Sequence, residues 1–150
     1  MKLNFIPAFC YSREIVGFRS ISYYQNIEIR DYQGGVMANH FVKFTDSGML
    51  DDIATRSRER PVVIFKHSLT CPISAAAYAE MLAFDGDVAL LEVQRSRELS
   101  REVEDRLGVA HESPQVIILK NGQVVWNASH FSITAAAVAD AIRELAAGEQ

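Results

Sequence analysis

The sequence contains only two cysteines among its 150 residues, Cys10 and Cys71, and they lie far apart. Two thiols cannot form a four-thiolate metal site, and one pair does not make the disulfide framework of a small secreted protein. Basic residues are also few: 15 Lys and Arg against 19 Asp and Glu leave a net charge of −4, which argues against nucleic-acid binding. No apolar run approaches the roughly 20 residues of a membrane-spanning helix. The sequence therefore predicts a cytoplasmic protein whose partners include neither nucleic acid nor a membrane.

The first 36 residues differ from the rest of the chain, because they hold four of the five tyrosines and show no sustained helical or strand pattern. Two interpretations are open. In one, Met37 is the true start, and the codons of Gly34-Gly35 belong to a ribosome-binding site. In the other, residues 1–36 are a genuine extension with a strand over Ser20–Ile29. Either interpretation divides the chain into residues 1–36 and a domain over residues 37–150.

After Met37 the apolar pattern alternates between helical and strand periods. A first helix is predicted after the capping residues Thr45, Asp46 and Ser47, and Pro61 ends it. The later elements are predicted as a strand at Val62–Phe65, a helix at Ala75–Phe84, a strand at Val88–Val93, a helix at Leu99–Leu107 closed by Gly108, strands at Val116–Leu119 and Gln123–Trp126 joined by Asn121-Gly122, and a helix capped by Ser132 or Thr134. Strand–helix–strand units favour parallel pairing, and the closing hairpin adds an antiparallel strand. This order predicts an α/β, thioredoxin-like fold: a four-stranded mixed sheet with helices on both faces.

Cys71 is the candidate nucleophile, because ligands of open α/β sheets bind beyond the carboxyl ends of the parallel strands. It follows the strand Val62–Phe65 and precedes a helix, where Pro72 suits the first turn. Its sulfur is predicted to face the free N–H groups of Ile73 and Ser74, which favour the thiolate that attacks disulfides. The alternative is an inert, buried cysteine.

Ser74 stands where a dithiol enzyme carries its second cysteine. Its hydroxyl cannot resolve a mixed disulfide, so the predicted chemistry is monothiol, and the alternative role is capping of the first helical turn. Cys10 could act as a resolving thiol only if the N-terminal segment folds over the site. Lys66 could pair with the thiolate or with an acidic co-substrate. The alternative is that it is a solvated residue at the end of the strand.

The segment before the third core strand contains Ser113-Pro114, whose peptide bond is predicted to be cis. This bond would present the Ser113 backbone to a bound thiol as a short strand partner. His67, His111 and His130 all fall at loop ends near the same edge of the sheet, where a histidine can assist a thiolate or protonate a leaving thiol. Structural hydrogen bonding is the alternative role, and the spacings match no zinc motif.

Three separate blocks together resemble one known family. They are Phe65-Lys66-His67-Ser68 with Thr70-Cys71-Pro72-Ile73-Ser74, then His111-Glu112-Ser113-Pro114-Gln115, and then Ser129-His130-Phe131 with Ile133-Thr134. In this order they resemble the YtxJ family of bacillithiol-system proteins, which are monothiol, thioredoxin-like bacilliredoxins. The resemblance spans roughly residues 45–145 and does not cover residues 1–36.

The resemblance implies a thiol–disulfide oxidoreductase that removes bacillithiol from S-bacillithiolated client proteins. Cys71 would be catalytic, and bacillithiol would be a thiol co-substrate, with no tightly bound cofactor and no metal. The expected supporting residues are Lys66, His67, Thr70, Pro72, Ile73 and Ser74, and the expected substrate-binding residues are His111, Ser113, Pro114 and His130. Two other functions remain open: a non-catalytic thioredoxin-like adaptor that binds peptides, and a reductase directed at glutathione or coenzyme A.

Overall fold

The structure, a computed structural model, describes residues 41–148. The described residues form, in chain order, β1 (Phe41–Lys43), α1 (Ser47–Arg56), β2 (Val62–His67), α2 (Pro72–Ala83), β3 (Val88–Glu92), α3 (Arg97–Leu107), β4 (Gln115–Lys120), β5 (Gln123–Ser129), a 3₁₀ turn (His130–Ser132) and α4 (Ala135–Ala147). The expectations for residues 1–36, including the Met37 start, the strand at Ser20–Ile29 and the role of Cys10, lie outside these residues. No helix within residues 41–148 is long and apolar enough to cross a membrane.

The strands form one mixed sheet in the order β1-β3-β2-β4-β5. β3 pairs in parallel with both β1 and β2, whereas β4 pairs antiparallel with β2 and with β5. The parallel pairing expected of the strand–helix–strand units therefore holds for β2 and β3 and is wrong for β4. The carboxyl ends of β2 and β3 lie at the same edge of the sheet, and the segments that follow both strands meet there.

The sheet has five strands in the described residues, not the predicted four. The added strand is β1, a three-residue edge strand that pairs Phe41 with Val88 and Lys43 with Leu90. Its sequence is too short to show a strand period, and its pairing with β3 defines it. The other boundaries differ less: α2 begins at Pro72 rather than Ala75, and β5 continues to Ser129.

Each face of the sheet packs against one pair of helices. Val63 and Phe65 point into a core with α2 and α4, and Val62 and Ile64 point into a second core with α1 and α3. Because side chains alternate along a strand, a strand buried on both faces is apolar at every position, as the β2 sequence is. The same alternation places Lys66 on the α1/α3 side and His67 on the α2/α4 side.

Local sequence signals account for the helix ends and the hairpin. The Asp46 carboxylate accepts a hydrogen bond from Met49 N at 2.9 Å, and Thr134 Oγ1 accepts one from Ala137 N at 3.1 Å. Gly108 ends α3 in the left-handed conformation (φ 64°). Asn121 and Gly122 both have positive φ, 55° and 74°, as the tight hairpin between β4 and β5 requires.

Candidate active site

Cys71 lies between β2 and α2, at the N-cap of α2, and its side chain is half-buried. The helix begins at Pro72, and Ala75 N donates to the Cys71 carbonyl at 3.0 Å. The Cys71 side chain makes no capping hydrogen bond, so the expected contacts of its sulfur with the N–H groups of Ile73 and Ser74 are absent. The sulfur is therefore not tied to its own helix and remains available to an incoming disulfide.

Ser74 is completely buried one turn into α2. Its Oγ accepts a hydrogen bond from Ser68 N at 2.8 Å and lies 2.9 Å from His67 Nδ1. The hydroxyl thus joins α2 back to the end of β2 instead of capping the first turn. This hydroxyl therefore stabilises the turn that carries Cys71. It occupies the position at which a dithiol enzyme carries its resolving cysteine.

His67 packs its ring against aromatic side chains on the α2/α4 side of the sheet. Ring centroids lie 5.6 Å from Phe65 and 5.0 Å from Tyr78. Burial lowers the pKa of His67, and the nearby Glu92 carboxylate only partly opposes this effect. His67 is therefore neutral at pH 7, and its hydrogen bond to Ser74 supports the turn.

Gln94 holds the loop that leads to Cys71, and sequence reasoning missed it. Its Oε1 accepts from Leu69 N at 3.0 Å, and its Nε2 donates to Ser68 Oγ at 2.6 Å and Thr70 Oγ1 at 3.3 Å. These bonds fix Thr70, which is exposed, next to the cysteine. Gln94 follows β3 at the same edge of the sheet, so the rule that located Cys71 could also have located Gln94.

Lys66 is completely buried, which corrects the interpretation of a solvated strand end. It lies on the α1/α3 side of β2, and its Nζ is 2.7 Å from His111 Nδ1. Burial lowers the pKa of Lys66 to about 8, and Glu104 opposes the shift. Among the described residues its hydrogen-bond partner is a histidine, not the Cys71 sulfur.

His111 stands in the loop between α3 and β4. Ser100 Oγ lies 3.3 Å from the same Nδ1, and His111 N donates to Glu104 Oε1 at 3.1 Å. Partial burial and the Lys66 ammonium lower the pKa of His111, so the ring is neutral at pH 7. A neutral ring that accepts from Lys66 at Nδ1 carries its own hydrogen on Nε2.

The Ser113-Pro114 peptide bond is cis, as predicted. Pro114 is buried, and its carbonyl accepts from His130 N at 3.1 Å, which joins this loop to the end of β5. His130 also pairs through Nδ1 with Glu112 Oε2 at 3.0 Å. The buried Ser113 Oγ has no hydrogen-bond partner among the described residues.

The three histidines thus have separate partners. His67 contacts Ser74, His111 contacts Lys66, and His130 contacts Glu112. Within residues 41–148 none of them forms a hydrogen bond with Cys71, and no group of three or more His, Cys, Asp or Glu side chains is placed to hold a metal ion. The described site is one cysteine on a turn that Ser74 and Gln94 hold from two sides.

This arrangement defines the class of protein. It is a thioredoxin-fold protein with one cysteine at the start of the helix that follows the central strand β2. A thioredoxin-fold protein proposed to be an oxidoreductase is 35% identical to this chain, over 67% of this chain and 92% of that one, with a TM-score of 0.63. Thioredoxins of Schistosoma mansoni (17% identity, 71% and 98% covered, TM-score 0.54) and Malassezia sympodialis (12%, 76% and 97%, TM-score 0.59) share the fold.

Residues 42–138 match the family described as monothiol bacilliredoxin BrxC. The chain belongs to this family. Family and fold together assign the protein to thiol redox chemistry.

Proposed function

We propose that the protein removes bacillithiol, or a similar low-molecular-weight thiol, from S-thiolated proteins in the cytoplasm. The observation that carries the proposal is the replacement of a resolving thiol by the buried Ser74 hydroxyl, three residues after the half-buried Cys71. An adduct on Cys71 has no second thiol in α2 to displace it. Family membership supports the same monothiol chemistry.

The reaction is two successive thiol–disulfide exchanges. The Cys71 thiolate attacks the bacillithiol sulfur of the client's mixed disulfide, a new S–S bond forms, and the client cysteine leaves as a thiolate and takes a proton. A second low-molecular-weight thiolate then attacks the bacillithiol sulfur held on Cys71. This step yields the symmetrical disulfide of that thiol, or a mixed one, and regenerates the Cys71 thiolate. In the net reaction one incoming small thiol is consumed, the client thiol is freed, and the removed bacillithiol leaves as a disulfide with the incoming thiol.

The chain supports this reaction by holding Cys71 on a rigid turn. Ser74 fixes the turn from inside the fold, and Gln94 fixes the preceding loop from the end of β3. The cis peptide bond at Ser113-Pro114 belongs to a loop whose Pro114 carbonyl is engaged by His130 N. We assign the backbone of Ser113 to binding of the thiol chain.

The test is release of the client thiol. A bacillithiolated client, a glutathionylated client and a coenzyme-A-modified client are each incubated with the full chain and with Cys71→Ala. Faster release by the wild type alone, greatest with bacillithiol, supports the proposal, and greatest release with another thiol reassigns the substrate. No release from any client, together with equal client binding by both proteins, would favour the peptide-binding adaptor.

A further inference from the structure

A cavity of about 380 Å³ opens between the end of β3, helix α3 and the loop before β4. We call it the α3 cavity, and its lining includes Gln94, Arg97, Ser100, Arg101, Glu104 and His111. Its volume lies in the range of small-molecule sites, about 300–1,000 Å³. None of the sequence patterns assigned a ligand to this part of α3, whose mixed charges suggest only a solvated face.

The α3 cavity is lined by more positive than negative charge. Arg97 and Arg101 are one helical turn apart on the same face of α3, and neither has an ion-pair partner among the described residues. Glu104 is the acidic residue of the lining, and its carboxylate already accepts the His111 N–H. Behind His111 lies the buried Lys66 amine. Within residues 41–148, therefore, two arginines of this lining remain available to pair with an anion.

Gln94 connects the α3 cavity to the active-site loop. One side of this residue lines the cavity, and its amide holds Ser68, Leu69 and Thr70, which directly precede Cys71. Gln94 thus contacts both the α3 cavity and the loop that leads to Cys71.

The neighbouring cavities show no excess of positive over negative charge in their linings. A cavity of about 520 Å³ at the N-terminal end of α3 shares Arg97 with the α3 cavity, but its lining also contains the three acidic residues Asp46, Glu98 and Glu102. A cavity of about 260 Å³ beside Tyr78 contains Lys43 and Glu92, which pair with each other at 2.7 Å. Of these three cavities, the α3 cavity is the one suited to an anionic ligand.

We propose that the α3 cavity binds the carboxylates of the low-molecular-weight thiol that is exchanged on Cys71, with Arg97 and Arg101 as the residues that recognise them. This assignment rests on the proposed function. Arginine forms paired, charge-assisted hydrogen bonds with carboxylates, and the malate of bacillithiol carries two of them. Glutathione carboxylates and coenzyme A phosphates are also anionic, so the experiment must compare the three thiols.

The first experiment measures binding without catalysis. Bacillithiol, glutathione, coenzyme A and 2-mercaptoethanol are each titrated into the full-length Cys71→Ser protein, and backbone amide shifts are followed by NMR. Bacillithiol is expected to shift the amides of Arg97, Arg101 and His111, and neutral 2-mercaptoethanol is expected not to. Shifts confined to the Cys71 turn, or equal shifts with 2-mercaptoethanol, would overturn the proposal.

The second experiment removes the two charges. Arg97→Gln/Arg101→Gln is expected to weaken bacillithiol binding about fivefold to tenfold, the loss of two partly exposed charge pairs. The matched control Arg58→Gln/Arg143→Gln removes two exposed arginines elsewhere and is expected to change the Kd by less than about twofold. Equal Kd values for the two double variants would contradict the site.

The two proposals fail in different ways. If wild-type protein forms no adduct on Cys71 with any of the three thiolated clients while the amide shifts at Arg97 and Arg101 are present, the proposed reaction is wrong and the binding site stands. If adducts form on Cys71 at equal rates in both double variants, the reaction stands and the site is wrong.

Discussion

Lys66 Nζ lies 2.7 Å from His111 Nδ1, beneath the edge of the sheet that carries the active-site loop. The lysine is completely buried, and its amine contacts a neutral imidazole rather than a carboxylate. Burying an ammonium costs free energy unless a counter-charge offsets it. The buried Lys66 ammonium is therefore a destabilising, titratable charge, and it lies next to His111, which lines the α3 cavity.

Replacing this charge should stabilise the protein at neutral pH. Lowering the pKa of Lys66 from 10.5 to about 8 corresponds to about 3 kcal/mol of destabilisation below pH 8. Lys66→Met removes this cost and also loses a hydrogen bond of about 1 kcal/mol, so its free energy of unfolding should be about 2 kcal/mol higher at pH 7.

The pH dependence provides the check. Between pH 8 and 10.5 the unfolded wild type binds more protons than the native state, so wild-type stability gains a contribution that rises with pH. Lys66→Met lacks this contribution, and its advantage should shrink across that window. Urea unfolding of both proteins at about pH 7 and about pH 9.5 measures the difference in their free energies of unfolding at each pH. A constant difference between the two proteins would contradict the buried charge.

His111 should report the same charge by NMR. Burial and then the Lys66 ammonium lower the pKa of His111, and Lys66 stays protonated throughout the imidazole titration. Lys66→Met removes the second cause, so the pKa of His111 should rise. The measurement is a pH titration of the His111 ring proton resonances in both proteins. An unchanged or lower pKa in the variant would show that the two groups do not interact.

Gln94→Ala should slow thiol exchange more than it affects folding. The variant loses three hydrogen bonds to the loop before Cys71, each worth about 1 kcal/mol at most because the loop is partly exposed. We expect about a tenfold lower kcat/KM with a bacillithiolated client. Gln123→Ala, at an exposed position of β5, is the matched control and should retain the wild-type rate. Equal kcat/KM values for the two variants would show that Gln94 does not support the active site.

Ser74→Cys should convert the monothiol site into a dithiol site. Position 74 is buried in the first turn of α2, three residues after the N-cap Cys71. Under mild oxidant the variant should lose two hydrogen atoms and both free thiols at positions 71 and 74, as read by intact mass and peptide mapping. Ser74→Ala, which loses only the hydrogen bonds to Ser68 and His67, should form no such bond. Two free thiols persisting in Ser74→Cys would show that the helix start differs from the one described.

The sequence predicts the core strands and the place of Cys71, because both follow from local patterns. A continuous apolar run such as Val62–Phe65 is typical of a strand buried on both faces, and the next helix begins directly after the cysteine. β1 could not be predicted, because three residues show no period and its only support is pairing with β3.

The contacts of Lys66 and Gln94 depend on tertiary packing. A lysine at a strand end usually reaches solvent, and only the placement of α3 and the His111 loop buries this one. The position of Gln94 after β3 could have marked it as a candidate, but its contacts form only because the loop 68–70 lies beside it. Neither packing relation has a sequence period from which it could be read.

The most direct test of the account is the intact mass of the full chain after incubation with a bacillithiolated client, with Cys71→Ala measured beside it. The account predicts a gain of one bacillithiol on the wild type, located at Cys71 by peptide mapping, and an equal amount of freed client thiol. A wild type that frees the client without an adduct on Cys71, or a Cys71→Ala protein that frees it at the same rate, would contradict the monothiol mechanism.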